Sequence, residues 1–219
     1  VQERLAHNTK TVALFDQNVL NDSIEPARIL ADSESRPCSD RGRFGAALMA
    51  FLQAGNILVE PAFAIHEKGQ FAYRDLQIFR AADNVDPAIY ARIALGELDR
   101  LPADALPKLG EPETNLDFSR PIKGRSTLRL ALLKIACLEL SQLSEKEKMA
   151  EFIRWSFEDF CFARIPILLA CSYLSPRRQS PMLKSIRSQD RVRAIRGVEN
   201  ALWDVQLLHD WTRRVTEQK

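Results

Sequence analysis

The apolar pattern opens with a short run, Val12 to Phe15, that stops on Asp16, Gln17 and Asn18. Such a run predicts a short buried strand that ends by delivering a carboxylate and an amide. A second run, Asn56 to Glu60, again ends on an acid, and Pro61 then opens a short helix, PAFAIHEKG, closed by Gly69. Between the two, Asn21 to Leu30 fits a short helix or a loop. Ala31 to Arg43 reads as a polar surface connection, and Phe44 to Ala54 as a helix stopped by Gly55.

Helical spacing takes over downstream. Phe71, Leu76, Phe79 and Ala82 share one stripe and Ile89, Ile93 and Leu98 another, which predicts a helical hairpin over Phe71 to Val85 and Pro87 to Leu101. Leu101 to Arg125 carries Pro102, Pro107, Pro112 and Pro121 and predicts a long irregular connection. Ser126 to Leu143 is apolar nearly all round, as a central buried helix would be. Ser144 and Glu147 have capping-box spacing at the head of the next amphipathic segment, which continues through Phe152, Trp155 and Phe160. Ile165 to Leu174 fits a third strand or a kinked helix, with helix preferred, and Gly197 to Val215 predicts a strong helix.

Composition narrows the chemistry. At 219 residues with 46% hydrophobic and 27% charged positions, the chain can bury a sizeable core without cross-links. Its four cysteines form no CxxC pair and its three histidines no HExxH, which argues against a zinc site and leaves oxygen as the ligand of any metal. Scattered thiols suit a reducing cytoplasm. No run is apolar enough to span a membrane, and the opening VQERLAHNTK lacks the apolar core of a signal peptide. The absence of an initial methionine is read as a sign of an internal piece of a longer sequence.

A net charge of +2 conceals a strong local imbalance. From Pro176 to Arg196, the bases Arg177, Arg178, Lys184, Arg187, Arg191, Arg193 and Arg196 face one acid, Asp190. That is the electrostatic footprint of phosphate binding. A solvated helix surface, or a contact with the acidic segment Asn84 to Asp117, accounts for it equally well. In the last helix, Ala201, Leu207, Leu208 and Trp211 lie three, three, four and seven residues from Asp204, placing that acid in an apolar stripe. A carboxylate facing a core needs a partner: a buried arginine such as Arg196, or a metal shared with Asp16. Asn200, one turn earlier, could orient it. Asp16 has its own bland alternative as the cap of a following helix.

Taken together, the strand ending in DxN (Asp16, Asn18), the acid in PAFAIHE (Glu67) and the helix NALWDVQLL (Asn200, Asp204) resemble the PIN-like nuclease superfamily, in a divergent, helix-rich branch. The match covers roughly residues 11 to 69 and 190 to 215. The resemblance implies an α/β fold with a small central parallel sheet flanked by many helices. It further implies a single domain over 1–219, with 71–175 as a largely helical insertion. It implies that Asp16, Glu67 and Asp204 hold Mg²⁺ or Mn²⁺ and cut RNA, with Glu60 the rival for the second position. DNA is the alternative substrate. The further strand and TxD-like fourth acid usual in the superfamily are missing before Lys219, as if the chain were truncated or Asp210 substituted. A homodimer through the small residues of FGAALMAFL is also in keeping with the resemblance. The competing expectation is a non-catalytic helical module that binds nucleic acid or protein through residues 177–196. A HEPN-type ribonuclease is set aside because no arginine leads into His66 or His209 at the required spacing.

Overall fold

Val12–Leu14 forms β1 and Leu58–Glu60 forms β2, and the two pair in parallel with Val12 opposite Leu58 and Leu14 opposite Glu60. The computed structural model describes residues 11–69, 72–110, 118, 122–161, 163–175 and 183–217. These form a helix-rich α/β structure whose described strands are this one pair. Contacts divide the chain into two compact units between residues 120 and 121, inside the stretch 71–175 expected to be an insertion.

In the first unit the segment left between helix and loop is a full helix, α1 (Gln17–Ala31), and it begins directly behind Asp16. Its interior Pro26 cannot donate to the carbonyl of Asp22. Gly45 of α2 (Asp40–Ala54) lies against that same carbonyl, so closely that any Cβ there would collide with it. The proline that should weaken α1 thus marks where α2 crosses it. Helix α2 starts four residues before Phe44, capped by Ser39, which accepts from the Gly42 N–H at 3.0 Å. Next come α3 (Ala62–Lys68), closed by Gly69 at φ 70°, then α4 (Ala72–Ala82) and α5 (Pro87–Ala94). Phe71, taken as the start of α4's stripe, lies outside the described residues. Helix α5 packs chiefly on α2, not as the expected hairpin with α4. It still touches the end of α4, where the buried Tyr90 hydroxyl donates to the Ala82 carbonyl at 3.0 Å. Leu20, Ile24, Met49, Ile65, Ile78 and Ile93 form the centre of this core.

The second unit is built on α6 (Arg125–Leu140), α7 (Glu145–Glu158), α8 (Arg164–Tyr173) and α9 (Arg191–Glu217). The capping box at Ser144 and Glu147 is present, and the ambiguous apolar run forms the helix α8. Leu132, Ile135, Phe152, Ala170, Leu202 and Val205 are the core of this unit. Helix α6 is central but not buried all round, because Leu130, Leu133 and Leu140 face outward. Among the described residues, no helix is long and apolar enough to cross a membrane.

Candidate functional site

The two strands deliver their acids to one edge. Leu14 is in register with Glu60, and the chain is carried one step further by the Phe15 N–H donating to the Glu60 carbonyl at 3.2 Å. Asp16 therefore leaves the carboxyl edge of the sheet beside Glu60. Asp16 is the N-cap of α1 and accepts from the Val19 N–H at 2.7 Å. Glu60 accepts from the Ala62 N–H at 3.2 Å, at the head of α3. Asn18 is exposed on the first turn of α1, and Glu67 is half-buried near the end of α3.

Asp204 corrects an expectation. The buried face of α9 runs through Val198, Ala201, Leu202 and Val205, and Asp204 points away from it into solvent. The stripe inferred from Leu208 and Trp211 belongs to a stretch that has left the core, where both side chains are exposed. Arg196, offered as a buried counter-ion, is also exposed, as is Asn200. Asp210 is held by Arg213 at 2.7 Å and Arg214 at 2.6 Å. Burial pushes its carboxyl up, but the hydrogen bonds from the two arginines outweigh this and hold it below the usual aspartate range. These are oxygen donors suited to a hard cation. Among the described residues, no group of three or more His, Cys, Asp or Glu side chains is placed to hold a metal, and Asp16 and Glu60 are brought to one sheet edge as a pair.

The basic segment has a defined scaffold. Arg177 and Arg178 lie outside the described residues. Asp190 caps α9, accepting from the Val192 N–H at 2.9 Å and the Arg193 N–H at 3.3 Å, while its own N–H donates to Ser188 Oγ at 3.2 Å. The preceding turn rests on α9 itself. Gly197 touches the Lys184 carbonyl so tightly that a Cβ cannot be fitted between them. Lys184, Arg187, Arg191, Arg193 and Arg196 are all exposed on this turn and the first turns of α9. Arg187 reaches inward to the buried Glu139 of α6 at 2.9 Å, and Lys148 of α7 approaches the same carboxylate at 4.0 Å. A cleft of about 380 Å³ opens beside this pair, lined by Ser185, Arg187, Ser188 and Arg193 together with Leu183, Ile186, Tyr173 and Glu139.

Compared with models of known families, with characterised proteins and with solved structures, the chain matches none. The part of the site that sequence reasoning missed is Glu139. It sits in a nearly uninterrupted apolar helix, and a lone acid in such a helix was the available signal.

Proposed function

We propose that this chain binds nucleic acid, RNA in the first instance, through the phosphate backbone and by way of the second unit. The observation that carries the reading is the run Lys184, Arg187, Arg191, Arg193 and Arg196, exposed together on one turn and the helix it feeds. Of these, Arg187 is the one with an ion-pair partner among the described residues. Cations held on a helix start, most of them without an ion-paired carboxylate among the described residues, release counterions when they meet phosphates. Single-stranded or looped RNA is the favoured partner because it can follow such a surface. Fluorescence anisotropy with a labelled single-stranded RNA tests it. Replacing Arg191, Arg193 and Arg196 by Gln should weaken binding and flatten the salt dependence by about 0.7 per lost contact. Binding unchanged in that variant overturns the reading.

A second reading, that the chain also cleaves RNA with Mg²⁺ or Mn²⁺, is favoured by one observation. Asp16 and Glu60 emerge from the carboxyl edge of a parallel pair, the side of such sheets where ligands gather. Glu67 follows on the next helix of the same unit. Metal-dependent cleavage lost separately in Asp16→Asn, Glu60→Gln and Glu67→Gln would support it. Asn keeps the cap of α1 intact. Cleavage surviving all three would assign the activity elsewhere.

A further inference from the structure

Resting on the nucleic-acid reading of this surface, we infer that the cleft between Arg187 and Arg193 is a pocket for a terminal phosphomonoester, the phosphorylated end of a strand. The walls divide by chemistry. The buried Leu183, Ile186 and Tyr173 line it together with the more exposed Ser185, Arg187, Ser188 and Arg193. At about 380 Å³ the space admits one nucleotide and excludes a folded helix.

Charge selects the end of a strand over its middle. Glu139 is the acid in the lining, and Lys148 compensates it from a neighbouring cleft that Glu145 also lines. With Glu139 answered by Lys148, Arg187 and Arg193 bring two positive charges to the mouth. A phosphomonoester carries close to two negative charges at neutral pH, whereas an internal phosphodiester carries one. Arg187 is suited to exchange partners. Its side chain is 69% exposed while that of Glu139 is 10% exposed, so the guanidinium can turn from the carboxylate to a phosphoryl group at the mouth without uncovering the core. Arg193 has no ion-pair partner among the described residues, and a guanidinium so placed can take a phosphoryl group through paired hydrogen bonds. The platform is fixed in advance, because Gly197 and the Asp190 cap hold the turn against α9.

The test compares one short RNA in three forms, 5′-phosphorylated, 3′-phosphorylated and with hydroxyls at both ends, alongside a free nucleoside monophosphate, on the full chain. A phosphorylated end should bind about tenfold tighter than the hydroxyl form, the order of one charge-assisted contact. Arg193→Gln should abolish that preference. Arg196→Gln, also exposed on α9 but outside the cleft lining, should lower the affinity of all three RNAs and leave the preference standing. Equal binding of phosphorylated and hydroxyl RNAs overturns the pocket while leaving backbone binding intact. Binding of the free nucleotide alone, lost in Arg193→Gln, supports the pocket and overturns the nucleic-acid reading of the surface.

Discussion

Among the described residues each unit has one buried acid, Asp75 or Glu139, met by an arginine and a lysine, and the two arrangements are built differently. In the first unit Asp75 of α4 is 7% exposed and meets Arg28 of α1 at 3.1 Å and Lys68 at the end of α3. Arg28 also donates to Asn21 at 3.3 Å, and both cations are themselves largely covered. In the second unit Glu139 is as well buried, yet its closer partner, Arg187, stands mostly in water at the lip of a cleft. A buried acid surrounded by covered bases ties helices together. A buried acid answered by an exposed arginine leaves a cation that can change partners. The same inventory of charges is covered in one unit and opens onto a cleft in the other.

The largest expected effect tests that contrast. Asp75→Ala leaves two partly covered cations without their carboxylate and should cost about 3 kcal/mol of stability. Arg187→Gln leaves Glu139 with Lys148 and removes an exposed partner, so its cost should stay under about 1 kcal/mol. All three tryptophans, Trp155, Trp203 and Trp211, belong to the second unit, so their fluorescence follows that unit. Hydrogen exchange of α1 and α4 amides follows the first. Equal losses from the two substitutions would break the contrast.

A pair of glycines sharpens it. Gly45 lets α2 close on the Asp22 carbonyl, and Gly197 lets the basic turn close on α9. An added methyl forces either contact apart, at about 2 kcal/mol. Gly45→Ala should therefore lower stability with RNA affinity unchanged. Gly197→Ala should lower both, because it lifts Lys184 and its neighbours off the helix that positions them. An RNA affinity indifferent to Gly197→Ala would detach the turn from binding.

What could be read from the sequence was local. The strand-to-acid endings, the Gly69 stop and the Ser144–Glu147 box each lie within a few residues, and each formed as expected. The full length of α1 was hidden because Pro26 argues against a helix until the Gly45 crossing is seen. Helix α2 began early because its cap, Ser39, is steadied by Glu25, fourteen residues away, with no acid at the usual third position. Two overlapping stripes on α9 misplaced Asp204, since the helix outruns its core and its last apolar side chains mimic a buried face. The clamp of Arg187 on Glu139 spans 48 positions, and no spacing rule reaches that far.

Asp16 separates a structural role from a chemical one by a smaller margin. Removing the cap with Asp16→Ala should cost about 1 kcal/mol, while Asp16→Asn should be nearly neutral because its oxygen can still accept from Val19. Denaturant unfolding of the two variants measures this. Equal destabilisation by both would mean that the negative charge itself, not the hydrogen bond, holds this end of α1.

The smallest effect concerns the acid behind the other cap. Glu25 accepts from Arg36 at 2.8 Å, from the Ser39 N–H at 3.0 Å and from the Ser39 hydroxyl at 2.6 Å. Burial pushes its carboxyl up, and these donors more than reverse that, holding it below its ordinary value of 4.5. A carboxyl depressed by folding stabilises the native state above its unfolded value and stops doing so as pH falls through the lower folded one. The first unit should therefore lose a fraction of its stability below about pH 4.5 through this residue. Glu25→Gln should be less stable than the parent at neutral pH and should shed that part of the acid dependence, as read from thermal unfolding at pH 7 and across the acid limb. An acid dependence of hydrogen exchange in α1 that is the same in Glu25→Gln as in the parent would show that Glu25 is not its source.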